Sequence, residues 1–506
     1  MPGCDVTVIY KGNARVIPCA ERESLLSALR RAGYSDFQAP CGGQGKCARC
    51  LVTVDGAPAL ACRTYPEREC TVQLPEQGAE RVITKGAGDI PPFGEGLGLA
   101  VDIGTTTVAA YLYDGATGKL LGSLGERNAQ RPYGADVISR ISCCGQGKLP
   151  ELREAVRVQL SNMAEKLCRQ CGRETAEIKT AAIAGNTVME HIFAGLSPVS
   201  IGAAPFTPLS LFGEAVPACE VLPNLSEEAE VYLCPALSGY VGGDITAGLL
   251  SSGAYEHEGV CLLLDIGTNG EMALGGRNGF VTCAAAAGPA FEGAEMDCGM
   301  PAQTGAVNSV KFENGHLKFT VIGEGEAVGI CGSGLVSAAA ALLRSGVVDQ
   351  TGRMRAPDEA PTEFCENLRR EENGELRFYL TDRVYISAVD IRQFQLAKSA
   401  IRAGLETLLA RAGVTAEAVD TVFLAGGFGE YLPLDSAVET GLLPGEFRGR
   451  IRHAGNTAGA GAALALLTEN RALLRETAEK CEYFELSGSA EFSEKFMEHI
   501  FFGGEE

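Results

Sequence analysis

The sequence predicts a mixed α+β and α/β protein, in which a small cysteine-rich domain precedes a larger α/β fold that is built twice. Strand-like residues run into the motif Asp-Ile-Gly-Thr within Gly98–Thr107 and again within Leu262–Glu271. A motif repeated at this separation indicates two copies of one supersecondary unit. Four closely spaced cysteines, between Cys41 and Cys62, lie before the first copy and mark the separate small domain.

The two Asp-Ile-Gly-Thr motifs are typical of tight hairpins that face a phosphate group. Gly104 and Gly267 let the backbone turn closely, so that N–H groups and threonine hydroxyls point at phosphate oxygens. Asp102 and Asp265 then lie where a carboxylate can hold a hydrated Mg²⁺ against those phosphates. We therefore expect the two halves of the duplicated fold to bind one nucleotide between them.

Composition and charge narrow the class of protein. The chain has 506 residues, enough for about three or four domains of ordinary size. A net charge of −21, without a block of Lys or Arg, excludes nucleic acid and anionic membranes as expected partners. The N-terminus lacks the features of a signal peptide, and no uncharged apolar run reaches the roughly 18–20 residues of a membrane span. We expect a cytoplasmic protein whose 19 cysteines are reduced.

The first cysteines follow the pattern C-x5-C-x2-C-x11-C, formed by Cys41, Cys47, Cys50 and Cys62. Four thiolates are what a [2Fe–2S] cluster requires, and the glycines of the first loop let N–H groups approach the cluster sulfides. A zinc site is one alternative, although such sites usually pair two C-x2-C motifs, and buried free thiols are the other. The two hairpins and the helix around this loop resemble a small β-grasp ferredoxin.

Three later motifs add candidate binding residues. A helix expected from Ile245 follows Asp244, and a helix N-terminus beside an acid suits a phosphate-bound metal ion. The glycine-rich stretch Cys331–Leu335 opens another helix, which we expect over Val336–Arg344. The strand Val422–Leu424 ends in Ala-Gly-Gly-Phe-Gly, which leaves room for a nucleoside against the backbone. The polar segment Asn128–Arg140 has two open interpretations, a role at the nucleotide or a partner surface and an ordinary loop.

The order of these motifs resembles the ATPase superfamily of acetate and sugar kinases, Hsp70 and actin, whose fold is a duplicated, RNase H-like unit. With a ferredoxin in front, nearly the whole chain resembles the reductive activators of corrinoid proteins. The matching segments are Cys41–Cys62, Asp102–Thr107, Asn128–Arg140, Gly185–His191, Ser238–Asp244, Asp265–Glu271, Cys331–Leu335, Asp390–Ile401, Leu424–Phe428, Gly455–Gly461 and Thr477–Phe502.

The resemblance divides the chain into four expected segments. A [2Fe–2S] ferredoxin domain spans residues 1–75, and the unpatterned residues 76–96 predict a linker on which that domain moves as on a tether. Two actin-like ATPase halves then span residues 97–257 and 258–506.

The resemblance also implies an activity. Members of this family return corrinoid cobalt from inactive Co(II) to nucleophilic Co(I), with ATP and Mg²⁺ as cofactors besides the cluster. The expected partners are a corrinoid protein of a methyltransferase system, an electron donor such as a reductase or a ferredoxin, and a second copy of the chain in a homodimer. A cluster near roughly −400 mV is too weak a donor for this cobalt. We expect ATP to supply the difference through conformational change.

The resemblance carries residue roles with it. Asp102 and Asp265 are expected to organise Mg²⁺ and the attacking water, with Asp244 and Glu271 as further candidates for the catalytic acid or base. A helix N-cap is the alternative for Asp244. The expected cluster ligands are Cys41, Cys47, Cys50 and Cys62. The expected nucleotide-binding residues are Gly104, Thr105, Thr106, Thr107, Gly267, Thr268, Asn269, Gly332, Ser333, Gly426, Gly427 and Phe428.

Two other functions compete with this one. A kinase of the same superfamily with a fused redox module would need a sugar-binding block, which the sequence lacks. An ATP-driven, chaperone-like reactivase that exchanges damaged cobamide would need no iron–sulfur domain.

Two further features are expected to be structural. The cysteines of the segment 143–171 suggest a second cluster, but helical cysteines are usually buried apolar residues. We expect His191 to be packed rather than to bind cobalt.

Overall fold

The structure is a computed structural model that describes residues 3–10, 12–34, 50–74, 87–293, 296–313 and 315–503. Its N-terminal part is a five-stranded mixed sheet in the order β2-β1-β5-β3-β4, with one helix packed on it. The elements are β1 (Cys4–Tyr10), β2 (Asn13–Cys19), α1 (Leu25–Arg31), β3 (Leu51–Val54), β4 (Ala57–Leu60) and β5 (Cys70–Gln73). Helix α1 begins after Ser24, whose hydroxyl accepts a hydrogen bond from the Ser27 N–H. This arrangement is the one expected of a β-grasp ferredoxin.

The first half of the duplicated fold is built on a six-stranded sheet in the order β10-β11-β9-β6-β7-β8. Its strands are β6 (Leu97–Ile103), β7 (Thr107–Asp114), β8 (Leu120–Arg127), β9 (Ile178–Gly185), β10 (Ala215–Pro217) and β11 (Glu230–Leu233). Its helices are α2 (Val137–Cys143), α3 (Leu149–Gln170), α4 (Thr187–Ala194), α5 (Ala218–Val221) and α6 (Gly243–Ser251).

The second half has its own six-stranded sheet in the order β22-β21-β12-β13-β14-β23, and the described residues also form two three-stranded sheets beyond it. Its strands are β12 (Val260–Ile266), β13 (Gly270–Gly276), β14 (Gly279–Ala285), β15 (Ala306–Glu313), β16 (His316–Val321), β17 (Gly329–Ile330), β18 (Leu368–Arg370), β19 (Leu376–Tyr379), β20 (Tyr385–Ser387), β21 (Val419–Ala425), β22 (Ile451–Gly455) and β23 (Cys481–Tyr483). Its helices are α7 (Gly332–Arg344), α8 (Ala388–Ala412), α9 (Gly426–Gly429), α10 (Leu434–Glu439), α11 (Thr457–Leu464), α12 (Thr468–Glu479) and α13 (Ala490–Glu498).

The two large sheets follow one plan, which confirms the predicted duplication. In each, three antiparallel strands are extended by two parallel ones, β9 and β11 in the first half and β21 and β22 in the second. Asp102 lies opposite Ala184 of the neighbouring parallel strand, and Asp265 lies opposite Ala425 in the same way. The two aspartates therefore occupy equivalent positions, at the strand ends where α/β sheets bind ligands.

Helices α6 and α11 join the two halves through a close backbone contact. A Cβ atom at Gly461 would overlap the Ala247 carbonyl, so this crossing requires glycine. The Ser251 hydroxyl donates to the Thr457 carbonyl at 2.8 Å across the same contact. Both helices begin at the cleft between the halves, and their packing fixes the positions of their N-termini relative to each other.

The structure differs from the sequence predictions in two places. Gly455–Thr457 was expected to open the last long helix, but α11 ends at Leu464, and α12 and α13 follow it. Residues 87–96 of the predicted linker lie against the first half, where the Ile90 N–H donates to the Gly118 carbonyl at 2.9 Å. Residues 76–86 lie outside the described residues. Among the described residues, the helices are all too short or too polar to cross a bilayer.

Candidate active site

The two Asp-Ile-Gly-Thr turns face one cleft between the halves, with a cavity volume of about 590 Å³. The cleft is lined by every described residue that the sequence predicted to bind nucleotide or act in catalysis. These are Asp102, Gly104, Thr105, Thr106, Thr107, Asp244, Asp265, Gly267, Thr268, Asn269, Glu271, Gly332, Ser333, Gly426, Gly427 and Phe428. The sequence separates these residues by more than 300 positions, and the duplicated fold brings them together.

Asp102 and Asp265 end strands β6 and β12 on opposite sides of the cleft. The Asn456 side chain donates to Asp102 Oδ2 at 2.8 Å. Burial raises the pKa of Asp102 to about 7, although this hydrogen bond lowers it, and the negative charge of Asp244 raises it further. Burial likewise raises the pKa of Asp265 to about 7, with further contributions from Asp244 and Asp102.

Asp244 and Glu271 complete the acidic part of the cleft. Asp244 lies in the first turn of α6, whose N-cap is Gly242, so the alternative that Asp244 is the N-cap is wrong. Burial raises the pKa of Asp244 to about 6, although backbone N–H groups stabilise the carboxylate and lower the pKa. Burial raises the pKa of Glu271 well above its usual value, and the charges of Asp244 and Asp265 raise it further.

The described residues offer no positive side chain to Asp102, Asp244 or Asp265 that would lower their pKa values. Nor do they include three or more carboxylate, imidazole or thiol side chains placed to bind one metal ion directly. These two facts suit Mg²⁺, which neutralises carboxylates while it keeps several water ligands and binds phosphate oxygens. The donor set fits a hydrated dication.

The polar segment 128–140 supports the first Asp-Ile-Gly-Thr turn. We call this turn, and its counterpart in the second half, the phosphate hairpins. The Asn128 side chain donates to the Gly104 carbonyl at 2.7 Å, and Arg140 donates to the Thr105 carbonyl at 2.5 Å. Arg140 is fully buried and also donates to Gln130 and Gly134. These contacts explain why the segment carries buried polar side chains, because Asn128 and Arg140 satisfy backbone carbonyls of the hairpin.

The opposite wall of the cleft is formed by glycines and an aromatic ring. Gly426 has a φ of +83°, and a Cβ atom there would overlap the Asp265 carboxylate, so glycine is required on both counts. The Phe428 ring stacks on Phe291 with their centroids 4.7 Å apart. The Ser333 hydroxyl, in the first turn of α7, donates to the Asn308 carbonyl.

Two of the predicted cluster ligands lie in the described residues. Cys50 precedes β3 and Cys62 follows β4, and the pairing of Leu51 with Leu60 brings the two thiols together. Both are buried, and the Cys62 N–H donates to Cys50 Sγ at 3.5 Å. A backbone N–H aimed at a cysteine sulfur is a contact that iron–sulfur sites use. Cys41 and Cys47 lie outside the described residues.

Comparisons with known proteins agree with this site. Residues 8–67 match the 2Fe-2S iron-sulfur cluster binding domain, residues 97–257 the RACo middle region, and residues 259–506 the C-terminal domain of RACo, the ASKHA domain. The corrinoid activation enzyme RamQ of Eubacterium limosum is 35% identical over 418 residues, which cover 80% of this chain and 70% of RamQ. The chain belongs to the RACo family of corrinoid activators.

Two other known proteins match at lower identity. The [Co(II) methylated amine-specific corrinoid protein] reductase of Methanosarcina barkeri is 27% identical over 411 residues, 74% of this chain and 70% of the reductase. A solved structure of a reductive activator for corrinoid,iron-sulfur protein is 31% identical, covers 98% of both chains and has a TM-score of 0.72. The ferredoxin and ASKHA parts of the predicted fold are therefore confirmed.

Three residues of this RACo-family cleft were missed at the sequence level. Asn186 caps α4 and donates to Glu271 at 3.4 Å, and Asn456 caps α11 and contacts Asp102. The repeated Gly-Asn-Thr at 185–187 and 455–457 was a signal for both asparagines. The third residue, Glu292, contacts Thr106 and Thr268 and has no sequence motif.

The cysteines of the segment 143–171 and His191 make ordinary packing contacts and hydrogen bonds. Cys168 is buried in the core of the first half, and Cys171 Sγ donates to the Leu121 carbonyl. His191 is fully buried, where its two ring nitrogens contact the Thr187 carbonyl and the N–H groups of residues 209 and 210. Burial lowers its pKa, so the ring is neutral and has no free nitrogen for a metal ion.

Proposed function

We propose that this chain uses ATP to reduce the cobalt of a corrinoid protein from Co(II) to Co(I), with electrons that pass through its iron–sulfur domain. One observation carries the proposal: both Asp-Ile-Gly-Thr turns face a single cleft in a chain that also matches a 2Fe-2S domain. Two relatives, a corrinoid activation enzyme and a reductase of a Co(II) corrinoid protein, support the same reaction. We also propose four segments for the chain: the ferredoxin domain 1–75, the linker 76–96 and the two ATPase halves 97–257 and 258–506.

Mg²⁺ belongs between Asp102 and Asp265 in this proposal. Each carboxylate is destabilised by burial and by neighbouring negative charge, and a divalent cation would remove that repulsion. Thr105, Thr106, Thr107, Gly104, Gly267, Thr268 and Asn269 would hold the phosphates. Gly332, Ser333, Gly426, Gly427 and Phe428 would contact the nucleoside.

Asp244 is the better candidate for the base that orients and deprotonates the attacking water. Its pKa of about 6 leaves it ionised at neutral pH and close enough to neutrality to accept a proton. Glu271, whose pKa burial and the charges of Asp244 and Asp265 raise well above its usual value, accepts hydrogen bonds from the side chains of Asn186 and Asn269, and we assign it a positioning role. This division gives the two acids different roles although both line the same cleft.

Cys41, Cys47, Cys50 and Cys62 would hold the [2Fe–2S] cluster. When bound, the cluster supplies a one-electron carrier. The role of Cys50 and Cys62 is supported by their burial side by side in the N-terminal domain. The proposal also includes a reductase or a ferredoxin as the electron donor and a homodimer as the assembly.

The proposal is tested by the rate of cobalt reduction. The full chain, with its cluster reconstituted, is mixed with a chemical donor and a Co(II)-state corrinoid protein of a methyltransferase system. Co(I) is then followed by its absorbance with ATP and Mg²⁺, with a non-hydrolysable analogue, and without nucleotide. We expect rapid cobalt reduction only in the mixture that contains ATP and Mg²⁺. Equal rates in all three mixtures would overturn the coupling of ATP to electron transfer.

A further inference from the structure

Glu292 connects the two phosphate hairpins directly. The Thr106 hydroxyl donates to Glu292 Oε2 at 2.9 Å, and the Thr268 hydroxyl donates to Glu292 Oε1 at 2.8 Å. Thr106 follows β6 of the first half and Thr268 follows β12 of the second half, so one carboxylate lies between opposite walls of the cleft. Each oxygen of the carboxylate accepts from a different half.

The two hydroxyls cannot serve this carboxylate and a phosphate together. A threonine hydroxyl has one proton to donate, and carboxylate and phosphate oxygens are both anionic acceptors that compete for it. Two anions within contact distance of each other also repel. Whichever anion takes the hydroxyls therefore excludes the other.

We propose that Glu292 competes with the terminal phosphate of the nucleotide for Thr106 and Thr268, so that binding of a triphosphate displaces the Glu292 side chain. This inference rests on the proposed function, since it requires that the hairpins bind a triphosphate. A diphosphate is shorter by one phosphate group, so we expect it to leave Glu292 in place. Glu292 should therefore lower the affinity for ATP more than the affinity for ADP.

The position of Glu292 in the chain gives its displacement a consequence. It ends the short turn Pro289–Glu292, which is flanked by Gly288 and Gly293, both with positive φ. Phe291 of the same turn stacks on Phe428 and makes an edge contact with Phe394 of α8. A shift of this turn therefore reaches the short helix α9 through Phe428 and the longest helix of the second half, α8, through Phe394.

The test compares nucleotide affinities of the full chain by calorimetry in the presence of Mg²⁺. Dissociation constants for AMP-PNP and for ADP are measured for the wild type, Glu292→Gln and Glu292→Ala. We expect both variants to bind AMP-PNP about tenfold more tightly than the wild type, the order of one charge-assisted hydrogen bond. The affinity for ADP should change less than about twofold, so the ratio of the two constants shifts.

A matched control distinguishes the effect of the Glu292 contacts on affinity from the effect of removing a negative charge near the cleft. Glu324 is exposed, and it follows Gly323, which lines the same cleft, so Glu324→Gln removes an equal charge without touching either hydroxyl. Equal tightening by Glu324→Gln would overturn the inference. Weaker binding of both nucleotides by the Glu292 variants would also overturn it, because Glu292 would then only hold the two halves together. Unchanged binding with slower ATP hydrolysis would overturn it as well, because Glu292 would then be a catalytic residue.

The experiment also distinguishes failure of the inference from failure of the proposed function. A wild-type chain that binds neither nucleotide would overturn both. A wild-type chain that binds both nucleotides, with variants that show the same ratio, would overturn the inference alone.

Discussion

At the scale of single residues, the cleft is defined by carboxylates that the fold buries without a positive partner. Asp102, Asp244 and Asp265 could be predicted because each follows a strand or opens a helix with a recognisable motif. Asn186 and Asn456 lay in a motif that occurs twice and carried no assigned role. Glu292 could not be predicted, because its contacts with residues 106 and 268 depend on how the two halves pack.

Asp265→Asn tests the assignment of the Mg²⁺ ligand. The amide keeps the shape of the side chain but removes the charge that would hold the metal ion, so we expect ATP hydrolysis to fall about 100-fold or more. The steady-state rate is measured in saturating Mg²⁺, with circular dichroism as the check of folding. Asp358→Asn, at an exposed position, is the control and should hydrolyse ATP at the wild-type rate. A loss of less than about threefold in Asp265→Asn would contradict the assignment.

The pH dependence of stability is a second prediction from the same carboxylates. Burial raises the pKa of Asp102 and Asp265 to about 7, against about 3.9 in an unfolded chain. Between these values the folded protein binds more protons than the unfolded one, so these two groups make stability fall as pH rises from about 4 to 7. In urea unfolding without divalent metal, Asp265→Asn should lose less stability over this range than the wild type. Parallel curves for the two proteins would contradict the burial of Asp265.

Cys62→Ser tests the cluster at the level of one ligand. Serine is a poor ligand for this iron, so we expect the iron content after anaerobic reconstitution to fall from about two per chain to near zero. Cys70→Ser, in the neighbouring strand of the same domain, is the matched control and should retain about two. Wild-type iron content in Cys62→Ser would exclude this cysteine from the ligand set.

At the scale of secondary structure, the sequence predicted the elements better than their ends. The α7 helix was expected from Val336 but begins at Gly332. Glycines usually predict a loop, but they also suit the first turn of a helix that packs closely against another segment of the chain. The segment 128–140 could not be settled from its polarity, because the same composition describes a solvated loop and a buried support. The contacts of Asn128 and Arg140 with the hairpin distinguish these two interpretations.

The crossing of α6 and α11 gives a prediction at this scale. Gly461→Ala adds a methyl group where the Ala247 carbonyl lies, so the helices must separate. Overpacking of this kind costs about 1–3 kcal/mol, and we expect the free energy of unfolding to fall by that amount. Because Asp244 and Asn456 lie at the starts of these helices, nucleotide affinity should fall as well.

The control for this substitution lies on the same helix. Ala460 is partly exposed, and Ala460→Ser also adds one heavy atom. This variant should unfold and bind nucleotide like the wild type. Equal effects at positions 460 and 461 would show that α11 itself, rather than its contact with α6, sets the geometry of the cleft.

At the scale of the whole molecule, the duplication explains why motifs far apart in the sequence form one site. Equivalent strand ends of two sheets face each other, and the helix pair between them sets their separation. A cleft of this construction changes shape when its halves rotate, and a ligand that contacts both halves biases that rotation. The order of motifs in the sequence was sufficient to predict the architecture, but the contacts between the halves required the structure.

The central claim is that ATP drives an electron from the iron–sulfur domain to cobalt against the difference in potential. The most direct measurement is the final fraction of Co(I) in a corrinoid protein equilibrated with this chain and a donor poised near roughly −400 mV. Each 60 mV of uphill transfer lowers the equilibrium constant by about tenfold, so the fraction should stay near zero without nucleotide. We predict that ATP with Mg²⁺ raises it severalfold for as long as ATP remains. The same final fraction with and without ATP would contradict the account.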